Sequence, residues 1–279
     1  MSLKRMGWIA AAMLSTQIIA TAQNTAKPEL TGVAHVALRV SDVDAEVQFL
    51  GKLGFEQAFA HEQNGRRAFV FVKINDREFI EVHPHTPLNA TAPQPLGFNH
   101  ICYETTNANA QYANWVANGL NPTQVAKGPD GTLEFAVTDP AGGVTEALEF
   151  VPDSQPAKDR GQHLGAKRVS DWLMGIEMPV SDMQAWVKFY EKLGFSGSSQ
   201  EKTVRLSSPA NRDLQIVLRP AGANEKTNLL FAVKNAKNTA EQLRGAGLAV
   251  ETVKNQVIVH DPDGNTMVLM QKSASQAQK

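Results

Sequence analysis

The apolar positions between Val33 and Val40 predict a strand, and the pattern then changes period. Val43, Val47, Leu50 and Leu53 form one apolar stripe at helical spacing, with Gly54 where a left-handed residue ends a helix. Ser41 followed by Asp44 reads as the N-cap and capping box of that helix. Three strand-like stretches follow, Glu56 to His61, Arg67 to Ile74 and Glu78 to His83, separated by turns at Asn64-Gly65 and Asn75-Asp76. The unit is β-α-β-β-β.

A second unit of the same form begins near Gly97. It has a strand from Phe98 to Glu104 and a helix from Ala108 to Leu120. Strands are predicted at Gln124 to Lys127, Leu133 to Thr138 and Ala147 to Val151, with a hairpin turn at Asp139-Pro140-Ala141-Gly142. Residues 153–169 are polar, carry Pro156, Gly161 and Gly165, and show no periodicity; they read as a linker. Beyond it the opening pattern returns. VSDMQAWVKFYEKLGF (Val180 to Phe195) matches VSDVDAEVQFLGKLGF (Val40 to Phe55) at ten of sixteen positions without a gap, which marks an internal repeat. A fourth unit starts at Asn228, and its turn Asp261-Pro262-Asp263-Gly264 mirrors the one at Asp139. The expectation is an α+β chain of four β-α-β-β-β modules paired into two domains, 32–152 and 170–272. The flanking segments are 23–31, a linker, and 273–279, a tail.

Composition changes this picture little: 42% hydrophobic and 20% charged residues are ordinary for a globular chain. Residues 1–22 have the form of a cleavable export signal, with Lys4 and Arg5, an apolar run and Ala20-Thr21-Ala22. The run is too short and too interrupted to serve as a membrane span. The expected location is the periplasm or the medium. Without Lys4 and Arg5, 25 positive charges face 28 negative ones, about −3, which gives no electrostatic ground for nucleic acid or membrane partners. The expected partner is a small molecule, and the expected state a monomer or homodimer. One cysteine, Cys102, allows no internal disulfide.

The strand-borne His35 before VSD, the helix ending in LGF, and the DPxG hairpin together resemble the vicinal oxygen chelate superfamily, which includes glyoxalases, bleomycin resistance proteins and extradiol dioxygenases. That resemblance covers nearly all of the chain after residue 31. It implies that two modules curl into one open cup, with metal ligands on the first and last strand of each module. Carried over, the ligands are His35, Glu81 (in FIEV), His100 (in FNHICYE) and a last-strand glutamate. The usual spacing after the hairpin aspartate gives Glu146, whereas Glu149 has the apolar neighbours Leu148 and Phe150. The two face opposite sides of a regular strand, and the flanks favour Glu149. Two imidazoles and two carboxylates suit a divalent ion such as Zn, Ni, Co, Fe or Mn.

In the second domain the same positions read Gly175, Val217, Asn228 and Val268, so no metal is expected there. Strand alternation puts Arg39 on the face of His35, and Cys102 and Glu104 on that of His100. Arg39 and Cys102 are candidate substrate contacts. Glu81, Glu149 and His83 are candidate catalytic residues, with His85 an alternative base. Four protein ligands point to a metal-dependent glyoxalase-like lyase or isomerase that stabilises an enolate-type intermediate. The alternatives are an extradiol-type ring-cleaving dioxygenase and a non-catalytic, ligand-sequestering protein. Where glyoxalase I carries an asparagine-tryptophan-glycine stretch that helps to hold glutathione, this chain reads VHPHTP.

Overall fold

The computed structural model describes residues 28–223 and 225–271. The export signal expected at 1–22, most of the linker at 23–31 and the tail at 273–279 lie outside the described residues. The architecture is α+β, with two eight-stranded sheets and few helices.

The first module contributes β1 (Leu30–Val40), α1 (Val43–Lys52), β2 (Glu56–Gln63), β3 (Arg66–Lys73) and β4 (Phe79–Pro84). The second contributes β5 (Gly97–Thr105), α2 (Ala108–Ala117), β6 (Ala126–Lys127), β7 (Leu133–Thr138) and β8 (Val144–Glu149). Their strands form one sheet in the order β2-β3-β4-β1-β5-β8-β7-β6. After the one-turn helix α3 (Gln155–Lys158) the pattern repeats. The third module has β9 (Leu173–Val180), α4 (Met183–Leu193), β10 (Ser196–Gln200), β11 (Thr203–Ser207) and β12 (Gln215–Pro220). The fourth has β13 (Asn228–Val233), α5 (Ala236–Gly245), β14 (Glu251–Val253), β15 (Gln256–His260) and β16 (Thr266–Gln271). The second sheet runs β10-β11-β12-β9-β13-β16-β15-β14, the same order shifted by one repeat.

Alternation sorts each strand's side chains. Val36, Leu38, Ile80, Val82, Ile101 and Tyr103 face the helices, and their counterparts in the second sheet join them in one continuous core. Phe55 stacks on Phe231 at 5.7 Å between ring centroids, and the Trp115 indole N–H donates to the Leu193 carbonyl at 3.2 Å. Burying such aromatic area across the junction is a large apolar gain. His35, Glu81 and His100 are left facing the concave side.

Two local expectations are corrected. Asp42, not Ser41, caps α1: its Oδ1 accepts from the Asp44 and Ala45 amides at 2.9 and 3.0 Å. Ser41 is spent on the other domain, where its amide and hydroxyl both donate to the Asp263 carboxylate. The linker, read as featureless, contains α3 and is pinned by a fully buried lysine. Lys73 Nζ donates to the Asp159 carbonyl at 2.6 Å and to the Asp159 and Asp76 carboxylates at 2.8 Å.

The second sheet explains its own missing histidine. Gly175 has φ +142°, and a Cβ there would lie 1.9 Å from the Gln215 carbonyl oxygen. Its concave face is filled by Met174, Val217, Leu230, Ala232 and Val268. Among the described residues, the groups able to hold a metal ion all lie in the first sheet.

Candidate metal centre

Four adjacent central strands, β4, β1, β5 and β8, each bring one donor to the concave face of the first sheet. Glu81 comes from β4, His35 from β1, His100 from β5 and Glu146 from β8. His35 Nε2 and His100 Nε2 are 3.0 Å apart. Glu81 Oε2 lies 3.4 Å from each of these nitrogens. Glu146 Oε2 lies 3.3 Å from His100 Nε2 and 3.7 Å from His35 Nε2. Donors bound at about 2.0–2.2 Å to one ion lie roughly 3–3.6 Å from each other, so His35, Glu81 and His100 fit a zinc-sized divalent ion, with Glu146 beside the two imidazoles. His83, on the face of Glu81, brings a third Nε2 to 3.1 Å from Glu81 Oε2. That approach is an ion-pair contact off hydrogen-bond geometry, so the buried nitrogen lacks a hydrogen-bond partner.

Burial alone would pull the His35 imidazole down, but the carboxylates of Glu81 and Glu146 outweigh it and raise its pKa to about 8. Burial would likewise raise Glu81; His35, His100 and His83 together hold it well below the usual carboxylate range. Glu146 is lowered in the same way, against its burial, by His100 and His35. The His35 ring and the two carboxylates therefore compensate each other's loss of water.

The cavity over these groups measures about 170 Å³. One wall is Phe69 and Phe71 of β3 with His83; the opposite wall is Pro129, Asp130 and Glu134. Glu134 on β7 was not foreseen. Burial, then the charges of Glu146 and Asp130, push its carboxyl up to about 7. Asp130 is anchored, its Oδ1 accepting from the Thr132 amide at 2.9 Å and hydroxyl at 2.7 Å. The readable signal for Glu134 was alternation: Glu134 and Ala136 share the concave side of β7, and Ala136 is paired with Glu146.

Several expected residues stand elsewhere. Glu149 is corrected to Glu146: its Oε2 accepts the Ala108 amide at the start of α2, on the helix side of the sheet. Cys102 shares the face of His100 and is fully buried, packed with Ala34 and Leu148; its Sγ lies within 4.8 Å of donor atoms of His35 and Glu146, but it does not line the cavity. Burial first, then nearby carboxylates, push its thiol well up. Arg39 stays at the rim, with Nε donating to Asn99 Oδ1 at 3.2 Å; Asn99 Nδ2 lies 3.1 Å from His100 Nδ1. Glu104 is paired with Arg77 through Nε at 2.7 Å, and His85 does not line the cavity.

Comparison with known proteins agrees with this fold. A sequence profile described as the Glyoxalase/Bleomycin resistance protein/Dioxygenase superfamily matches residues 32–147 and 171–269. The chain belongs to that superfamily. The paired modules are thus that superfamily's framework, present twice, and among the described residues the groups able to hold a metal ion lie in the first copy. No curated protein matches the chain in sequence. Among solved structures, a catechol 2,3-dioxygenase is 15% identical with TM-score 0.64, covering 88% of this chain and 89% of its own. The Mn(II)-bound glyoxalase from Novosphingobium aromaticivorans is 18% identical with TM-score 0.64, covering 88% and 83%. The 2,3-dioxygenase LapB from Pseudomonas sp. KL28 is 14% identical with TM-score 0.66, covering 89% and 94%. At these identities the likeness is one of fold.

Proposed function

We propose that the protein is a metal-dependent lyase or isomerase of the glyoxalase type, acting on a small molecule with two adjacent oxygens. The convergence of His35, Glu81, His100 and Glu146, with donor atoms 3.0–3.7 Å from the two imidazole nitrogens, carries this reading. A divalent ion held by these four side chains, Zn, Ni, Co, Fe or Mn by donor type, supplies Lewis acidity toward paired oxygens and stabilises developing negative charge. Glu134 faces the same cavity and is the residue placed to take a proton from a bound molecule and return it. His83 and Glu81 are its alternatives. Phe69 and Phe71 exclude water from that side and orient an apolar body against their rings.

Elemental analysis of the purified, dialysed protein tests the reading. About one equivalent of divalent ion per chain is expected, with loss of both ion and proton-transfer activity in Glu81→Ala. A fully active Glu81→Ala protein sinks it.

The aromatic wall favours one second reading, a ring-cleaving dioxygenase, in which Phe69 and Phe71 would face an aromatic substrate. Oxygen uptake with catechols is the discriminating measurement. Absence of stoichiometric metal would leave only a non-catalytic binding role. We further propose that residues 1–22 direct export to the periplasm or medium; N-terminal sequencing of the protein from its native host checks where the chain then begins.

A further inference from the structure

The walls of the cavity restrict what it can hold. Its lining contains four carboxyl groups, Glu81, Glu146, Asp130 and Glu134, and neither lysine nor arginine. Apart from the lining histidines, the basic side chains nearby have other hydrogen-bond or ion-pair partners, and of these Arg39, at the rim, also feels the charge of Glu81. Arg39 donates to Asn99, Arg77 is paired with Glu104, Lys73 with Asp159 and Lys127 with Asp153. If a divalent ion balances Glu81 and Glu146, then Asp130 and Glu134 still form an acceptor wall opposite the aromatic one. Asp130 is a built feature rather than a surface acid. It is only 7% exposed, its Oδ1 is fixed by Thr132, and its carbonyl accepts the Gln155 amide at 2.7 Å.

Size narrows the class further. A cavity of about 170 Å³ is close to the roughly 150 Å³ in which a benzene ring is accommodated. One six-membered ring, or an open chain of like volume, fills it. Phe69 and Phe71 favour an apolar or cationic body over an anionic one, because the faces of their rings are electron-rich. A carboxylate or phosphate carried beyond the chelating oxygens would instead meet Asp130 and Glu134, and like charges brought together out of water are strongly rejected.

We propose that the cavity takes a small molecule with paired oxygens at one end and an amine or other hydrogen-bond donor at the other. Asp130 and Glu134 are the specificity-determining residues that exclude anionic analogues. This rests on the metal-dependent reading above.

Two ring-matched probes test it: protocatechuate, a catechol bearing a carboxylate, and the same catechol bearing an aminomethyl group. Each is titrated calorimetrically into the metal-loaded protein under nitrogen, so that binding is read without turnover. The aminomethyl probe should bind at least about 10-fold more tightly. Glu134→Gln and Asp130→Asn should each reduce that ratio, chiefly by admitting protocatechuate. Equal or tighter binding of protocatechuate by the wild type overturns the inference, as does binding of neither probe; the wild-type ratio depends on no variant. Metal titration without probe separates the two levels. Protein that loads no ion condemns the metal reading and the inference with it, whereas loaded protein without the preference condemns the inference alone.

Discussion

Glu149 accepts the backbone amide hydrogen of Ala108, at 2.9 Å, and so closes the first turn of α2. The second domain makes the same bond with a different residue: Gln271 Oε1 accepts the Ala236 amide at the start of α5, at 3.0 Å. Carboxylate and amide are interchangeable there because only an acceptor is needed. Glu149→Gln should therefore keep its metal and lose little stability, while Glu149→Ala should cost about 1 kcal/mol as a lost cap. Glu146→Gln should weaken metal binding by at least about 100-fold with the fold intact. Competition titration with a chromogenic chelator, alongside thermal melts, checks the pair.

Glu46 of α1 is 1% exposed, and its oxygens face the second domain near Asp261. Burial, then the charge of Asp261, push its carboxyl up from 4.5 to about 9. The folded protein thus keeps a proton that the unfolded chain releases above 4.5. Stability should fall as pH rises from there toward 9, by up to about 1.4 kcal/mol per unit. Glu46→Gln removes the ionisation, so its melting temperature should fall less between pH 6 and pH 9 than the wild type's. Parallel slopes would show that Glu46 is not the group responsible.

Lys73 is wholly enclosed, and Asp159 nearly so. Lys73→Ala removes the buried cation of Asp159, leaving only the partly exposed His163 at 2.6 Å as its partner, and should cost up to about 3–5 kcal/mol. Adding Asp159→Asn removes that buried charge and should recover part of the loss. Urea midpoints of the single and double variants give the answer.

Gly175 tolerates no side chain, since its Cβ position overlaps the Gln215 carbonyl. Gly175→Ala should unfold or severely destabilise the second domain, by more than about 3 kcal/mol. Gly175→His should give no second metal equivalent. His35→Ala leaves the backbone untouched and should fold, but it should melt below the wild type because Glu81 and Glu146 lose a compensating ring. Circular dichroism melts compare all three.

The repeat and the β-α-β-β-β modules were legible because periodicity records which face of an element is buried, and both halves preserve it. His35, Glu81 and His100 were singled out by the superfamily resemblance rather than by periodicity, and the structure brings their donor atoms to 3.0–3.4 Å from one another. Glu146 was misjudged because both faces of β8 are covered, one by α2 and one by the cup. Apolar neighbours such as Leu148, which lies on the cup floor, therefore do not identify the helix side. The repeat held a better guide, since Asp139 to Glu146 spans the same interval as Asp261 to Val268. Glu134 and Asp130 escaped because a strand carboxylate and a turn aspartate are usually solvated, and only the curl of the sheet encloses them. Arg39 was placed on the correct face, but no pattern in the chain reveals that Asn99 engages it.

Every donor of the centre sits on a hydrogen-bonded strand in the middle of its sheet, and none on a loop. The distances between donors are therefore fixed by strand spacing and register, which form when the domain folds. An incoming ion would find its ligands already assembled and would lose little chain entropy in ordering them. Selectivity among ions should then be rigid in character: an ion whose preferred bond lengths differ from the frame cannot draw the ligands toward itself without straining four strands at once.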